Sequence, residues 1–152
     1  MAYEISVQQR AAQPAAVIRF SAPAGQAGMF IGPAYGEIGG YLHELNVEHD
    51  DTLVYARFLR FEPQMEVEAG FTVAEPVAPR GRVASGELPG GEVVRTVHVG
   101  PMATLPTATM ALRAWLAENG READGGPVEV YLDDPQVVPE SELRTEVFYV
   151  LK

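Results

Sequence analysis

Two carboxylates and two aromatic rings near the C-terminus have the alternating spacing of β-strands. Glu129 and Tyr131 alternate with apolar residues in one predicted strand, and Glu146 and Phe148 do so in the last strand. Since successive side chains of a strand point to opposite faces, each carboxylate shares a face with its ring. If the two strands are neighbours in register, all four side chains converge on one surface.

Such a surface has the chemistry to hold an organic cation. Aromatic faces attract cations by about 0.5–2 kcal/mol each, and a poorly hydrated carboxylate adds charge compensation. The alternative is that Glu129 and Glu146 are ordinary surface residues, each paired with an arginine such as Arg144 or Arg57. The strand pattern by itself leaves both interpretations open.

The elements that would position these residues occur twice in the order strand, helix, strand, strand. The first set is predicted as strand Ala15–Phe20, a helix through Ile31–Leu45, and strands Leu53–Phe61 and Met65–Val73. The second set is predicted as strand Glu92–Val99, helix Leu105–Gly120, and strands Val128–Leu132 and Thr145–Leu151. Apolar residues at helical spacing, Pro106 in the first turn and Asn119-Gly120 at the end make the second helix the most secure element. Trp115 lies on its apolar stripe and is predicted to be a core residue, with Val128, Val130 and Leu132 packed beneath.

The repeat predicts an α/β (α+β) fold of two duplicated units in one domain, 1–152. The halves are about 1–75 and 92–152, each an antiparallel sheet with one helix. Residues 74–91 are rich in Pro and Gly and are predicted to be a linker or exposed loop. Neither half covers its own sheet well, so the halves are expected to pack about a pseudo-two-fold axis, with a pocket along it.

The composition argues against several classes of binding partner and cofactor. The formal net charge is −10, which repels phosphate backbones and anionic membranes, so this chain alone is not expected to bind nucleic acid or membranes. There is no Cys, and His43, His49 and His98 lack metal-ligand spacing, so neither a metal nor another cofactor is expected. The first residues lack the pattern of a secretion signal, and a cytoplasmic location is expected.

The C-terminal segment resembles a known family. Val128–Pro135, then Val138-Pro139, then Arg144–Phe148, together with the helix Leu105–Gly120, are similar to the C-terminal signature of GyrI-like effector-binding domains. These domains occur alone and as the ligand-sensing halves of AraC- and MerR-type transcription regulators. No region resembles a helix-turn-helix, so a stand-alone member is expected.

The resemblance implies a two-copy α/β fold with a central cleft for bulky apolar or cationic compounds. Carried over by position, it implies that Glu129, Tyr131, Glu146 and Phe148 line that cleft. This chain departs from the family at Met102, where many members have Tyr.

Three functions follow as hypotheses. The favoured one is a non-catalytic protein that senses or sequesters a bulky hydrophobic small molecule, cations among them. The second is a hydrolase of strained-ring cytotoxic natural products, in which Glu129, Glu146 and Tyr131 would act, with a Glu as general base. The third is a protein-binding inhibitor of a gyrase-like target.

Overall fold

A computed structural model describes residues 3–23, 25–47 and 52–152. In chain order its elements are β1 (Ser6–Arg10), β2 (Gln13–Pro23), α1 (Gly28–Glu44), β3 (Val54–Arg60), β4 (Gln64–Thr72), β5 (Ala84–Leu88), β6 (Gly91–Val99), α2 (Pro106–Glu118), β7 (Val128–Tyr131) and β8 (Arg144–Val150). Short 3-10 turns occupy Met102–Thr104 and Glu140–Glu142. His49 lies outside the described residues. The mixed α/β class with antiparallel strand pairing is confirmed.

The chain divides into two compact units. The first unit is Ala12–Pro89, and the second unit is Gly90–Lys152 with the described part of residues 1–11. Neither α1 nor α2, the two α-helices of the described residues, has the length and hydropathy of a membrane span.

In the first unit, α1 packs on one face of a sheet with strand order β3-β4-β2-β5. Ala34, Ile38 and Leu42 are fully buried and lie four residues apart, so they form one stripe along the helix. They pack on Ile18 of β2 and Ala69 of β4. The helical spacing seen in the sequence is therefore confirmed.

Gly36, in the middle of α1, weakens the helix without serving close packing. It is exposed, and a Cβ built on it meets no atom within 4 Å. Gly36→Ala is therefore expected to stabilise the protein by about 0.5–1 kcal/mol, because alanine loses less backbone entropy on folding. The midpoint of urea unfolding should rise, and an unchanged or lower midpoint would contradict this.

In the second unit, α2 packs on a sheet with strand order β1-β6-β8-β7. Leu112 is fully buried against Val94, Val147 and Tyr149, and Trp115 packs at the edge of this cluster. Trp115, predicted as a core residue, is half-buried and packs against the core cluster from its edge.

Two edge strands differ from the sequence prediction. Residues 84–88, predicted within a linker, form β5, which pairs with β2. β1 pairs with β6 and so belongs to the second unit, although it was predicted with the first half. The strand before the helix therefore has two neighbours in each unit. In the first unit β2 lies between β4 and the additional strand β5, and in the second unit β6 lies between β8 and the additional strand β1. The two units share this order, while their superposition by a two-fold rotation stays a prediction.

The start of α2 is tied to the N-terminal segment by hydroxyl groups around His98. The Tyr3 hydroxyl lies 2.8 Å from Nδ1 of the buried His98 and 2.6 Å from Thr107 Oγ1. The Thr104 side chain does not cap α2; its Oγ1 lies 3.0 Å from His98 Nε2 and donates to the Pro101 carbonyl.

Removing the Tyr3 hydroxyl should loosen this contact. Tyr3→Phe is expected to lower the free energy of unfolding by about 1–2 kcal/mol, because Nδ1 of the buried His98 loses its hydrogen-bond partner. Thermal unfolding would measure the loss, and a change below about 0.3 kcal/mol would contradict the contact.

Candidate functional site

The register of β7 and β8 separates the four candidate side chains. Glu129 lies opposite Val147 and Tyr131 opposite Thr145, whereas Glu146 lies opposite Val130. Paired residues of neighbouring strands project from the same face. Because Val147 packs in the α2 cluster, Glu129 and Tyr131 share that face, and Glu146 and Phe148 lie on the other.

The prediction that all four converge on one surface is therefore wrong. The packing of Val128 and Val130 beneath α2 is wrong for the same reason, because they lie opposite Phe148 and Glu146 on the far face. Leu132 follows the end of β7 and is exposed. A shift of one residue in register exchanges the faces of a whole strand, and the long connection between β7 and β8 leaves the register free.

Glu129 and Tyr131 form a hydrogen-bonded pair on the α2 face. The Tyr131 hydroxyl donates to Glu129 Oε1 at 2.8 Å, and both side chains are half-buried. Burial raises the pKa of Glu129 to about 7, although the hydrogen bond from Tyr131 acts in the opposite direction. Among the described residues, no Arg, Lys or His forms an ion pair with Glu129. This carboxyl group is thus desolvated and lacks a cationic partner there.

Glu146 is in the opposite situation on the far face. It is buried and accepts hydrogen bonds from Arg10 Nη1 at 2.8 Å and from Arg95 Nε. The Arg10 guanidinium lies 4.5 Å from the centroid of the fully buried Phe148 ring. Pairing with arginine, the alternative raised from the sequence, holds for Glu146. Its partners are Arg10 and Arg95, since Arg144 pairs with Asp133.

The first unit carries a matching buried carboxylate on β4. Glu68 accepts from Arg19 Nε at 2.9 Å and from the Tyr55 hydroxyl at 3.1 Å, on the face away from α1. Burial and the Glu68 charge raise the pKa of Tyr55. Glu68 and Glu146 hold equivalent places in their sheets, but Glu68 has one guanidinium where Glu146 has two.

Sequence reasoning missed Arg10 and Arg95. Arg95 shares one face of β6 with Val93 and Val97. An arginine between two valines on the same strand face was the available sequence signal for a partly buried guanidinium group. Arg10 lies 136 residues from Glu146, and nothing local indicates their contact. Within the described ranges, no group of three or more His, Asp or Glu residues is arranged to hold a metal ion.

Several solved structures have a similar fold. EcmrR in a complex with DNA has a TM-score of 0.85 at 20% identity, with 99% of this chain and 57% of that chain covered. This chain therefore spans little more than half the length of that protein. The C-terminal domain of EcmrR gives 0.83 at 19% identity, covering 100% of this chain and 99% of that one.

Two further structures of similar fold are a ligand-bound protein and a protein described as a hydrolase. SAV2435 bound to tetraphenylphosphonium has a TM-score of 0.66 at 12% identity, covering 100% of this chain and 94% of that chain. A protein described as a hydrolase from Listeria innocua gives 0.62 at 12% identity, covering 98% and 92%. At these identities the likeness shows the fold.

No curated protein sequence matches this chain significantly. The sequence profile of the GyrI-like small molecule binding domain, in contrast, matches residues 3–152, which is nearly the full length. Together with the fold shared with the C-terminal domain of EcmrR, this match shows that the chain belongs to the GyrI-like small-molecule-binding domain family.

Proposed function

We propose that this chain binds bulky hydrophobic compounds, cations among them, on the α2 face of the second unit, for sensing or sequestration. Glu129 and Tyr131 are the proposed contacts. The observation that carries the proposal is a desolvated carboxyl group with no cationic partner among the described residues. Burying a lone carboxylate is unfavourable, and a ligand cation would remove that penalty.

Glu146 and Phe148 contribute less to this proposal than the sequence predicted. The charge of Glu146 is already compensated by two guanidinium groups, and Phe148 has no exposed surface. A cation approaching Glu146 would meet Arg10 and Arg95 first. The proposed cation preference therefore depends on Glu129.

The fold relatives give the proposal a chemical precedent. SAV2435 was solved with tetraphenylphosphonium, which is a bulky, hydrophobic cation. Tetraphenylphosphonium delocalises its charge and is weakly hydrated, so a half-buried site with a ring and a carboxylate suits it. It is the natural probe for this chain.

Calorimetric titration with tetraphenylphosphonium and with neutral triphenylphosphine oxide tests the proposal. Wild-type protein should prefer the cation, and Glu129→Gln should weaken cation binding by about 10- to 100-fold, as expected for a charge-assisted contact. Binding of the neutral compound should change little, since glutamine keeps the size of the side chain.

The matched control is Glu118→Gln, which removes the same charge from the exposed surface of α2. It should leave both affinities within about twofold, because exposed charges are screened by salt. Equal cation affinity in wild-type and Glu129→Gln proteins would contradict the proposed role of Glu129.

Hydrolysis is a second candidate, favoured by the same hydrogen-bonded pair. A carboxyl group with a pKa of about 7 beside a phenol is well placed to act as a general base. Glu146 lies on the other face, so only Glu129 and Tyr131 could act together. A hydrolase would turn over strained-ring substrates and lose at least about 100-fold in kcat on Glu129→Gln. A pure binding protein would show no turnover in either form.

A further inference from the structure

The two guanidinium groups around Glu146 carry more charge than their surroundings compensate. On the face of the second unit away from α2, the strands present Arg10, Arg95, Arg144 and Glu146. Arg144 is neutralised by Asp133, to which it donates from Nε and Nη2. Glu146 offsets one of the two remaining cations. One positive charge is left over among the described residues.

This surplus charge is partly withdrawn from water. The Arg10 side chain is 17% exposed, the Arg95 side chain is 23% exposed, and Glu146 between them is 10% exposed. Val93, Val97, Val128, Val130 and Val150 share this face and lower its polarity. A charge in such surroundings needs a counter-charge to avoid a desolvation penalty.

Several N–H donors of the Arg10 and Arg95 guanidinium groups have no acceptor among the described residues. Arg10 uses Nη1 and Arg95 uses Nε on Glu146, and no further hydrogen bond of either guanidinium forms among the described residues. Arg10 Nε is buried without an acceptor. Stacking on Phe148 holds the Arg10 guanidinium in place, so the free N–H groups are already oriented.

At the matching place in the first unit, Arg19 of β2 and Arg57 of β3 both lie opposite Glu68, but only Arg19 forms an ion pair with it. Glu68 has one ion-pair partner, Arg19, and its second hydrogen bond comes from the neutral Tyr55 hydroxyl. A buried glutamate at this position is therefore satisfied with one guanidinium. The second guanidinium in the other unit exceeds what the carboxylate requires.

We propose that Arg10 and Arg95 form a site for a small oxyanion, either a carboxylate or a phosphate group, with Glu146 between the two guanidinium groups, holding them in position. Guanidinium groups bind planar carboxylate and tetrahedral phosphate oxygens through paired N–H donors. This site is on the opposite sheet face from Glu129 and stands independently of the proposed cation binding.

Thermal unfolding in sodium phosphate, sodium acetate and sodium chloride at equal, low ionic strength tests the site. Phosphate or acetate at about 20 mM should raise the unfolding midpoint by about 2–6 °C beyond chloride, because a ligand of the folded state stabilises it. A larger response to phosphate would identify a phosphate ligand, and a larger response to acetate a carboxylate ligand.

Two variants change the charge balance in opposite directions. Arg95→Met should abolish the response, since Arg10 and Glu146 then neutralise each other. Glu146→Gln should strengthen anion binding by about 5- to 20-fold, because both cations become uncompensated. If Arg95→Met does not fold, Glu146→Gln decides. The glutamine carbonyl oxygen can still accept from one guanidinium group while the positive charge is less compensated, so no gain in anion affinity would overturn the proposal.

Arg82→Gln is the matched control. Arg82 is exposed and pairs with Glu37 in the first unit, so its loss should leave the anion response unchanged. Phosphate and acetate acting no better than chloride on both wild-type and Glu146→Gln proteins would overturn the proposal. A loss of response in Arg82→Gln equal to that in Arg95→Met would also overturn it, by showing a general surface effect.

Discussion

Replacing Gly70 by alanine is expected to destabilise the protein by about 3 kcal/mol, the cost of an overpacked core site. A Cβ on Gly70 would lie 2.6 Å from Cε1 and Cζ of the Tyr55 ring. The ring cannot easily move, because Tyr55 is fully buried and its hydroxyl donates to Glu68. The midpoint of urea unfolding should therefore fall clearly.

A double variant separates the clash from a general effect of alanine in a strand. In the second unit, Phe148 on β8 matches Gly70 on β4, and Val128 on β7 matches Tyr55 on β3. Each strand pair thus has one large ring opposite a smaller residue, but the ring lies on β3 in the first unit and on β8 in the second. Tyr55→Val should therefore relieve the clash, and the loss in Gly70→Ala with Tyr55→Val should be smaller than the sum of the two single losses. Strictly additive losses would contradict the contact.

Replacing Glu129 by glutamine is expected to make the protein more stable at high pH. The pKa of Glu129 is raised to about 7 in the folded protein from 4.5. The folded state thus favours the neutral carboxyl group, a contribution that is complete below about pH 4.5 and is lost as the pH rises through 7. Glutamine stays neutral throughout, so at about pH 8 the variant should exceed the wild type by about 1–3 kcal/mol.

Urea unfolding of both proteins between about pH 4 and pH 8 would measure this difference. The two proteins should be similar at the acidic end and diverge through neutrality. Glu118→Gln, which changes an exposed carboxylate, should track the wild type at every pH. A pH-independent difference between wild-type and Glu129→Gln proteins would show that Glu129 ionises normally.

Local patterns predicted the elements well. The apolar stripe and Pro106 located α2, observed over Pro106–Glu118, and alternation located both ends of β7 and β8 to within one residue. The repeated order of strand, helix, strand, strand is also present in the two units. These features depend on neighbouring residues, which the sequence displays directly.

Long-range pairing was the part that the sequence did not reveal. Alternation tells which residues of one strand share a face, but not which face matches that of the next strand. The register of β7 and β8 differs by one residue from the one that would bring the two glutamates together. Glu129 and Glu146 therefore lie on opposite faces of the sheet. Likewise, nothing near Arg10 indicates that β1 pairs with β6 or that Arg10 contacts Glu146.

The observed strand register and pairing change the chemistry expected of the two carboxylates. Glu146 forms ion pairs with Arg10 and Arg95, whose remaining N–H donors make up the proposed anion site. Glu129 accepts a hydrogen bond from the Tyr131 hydroxyl on the α2 face and has no ion-pair partner within the described ranges, so burial favours its neutral form. We therefore propose a cation site beside Glu129 and an anion site beside the arginine partners of Glu146, on opposite faces of the sheet.

Proton release on binding of tetraphenylphosphonium tests the central claim most directly. At about pH 6 a carboxyl group with a pKa of about 7 is mostly protonated, so a bound cation that favours the ionised form should displace up to about 0.9 proton. Calorimetric titrations in two buffers of different ionisation enthalpy would count the protons. We expect wild-type protein to release them and Glu129→Gln to release none while binding more weakly. Tight binding without proton release, unchanged in Glu129→Gln, would contradict a cation site at Glu129.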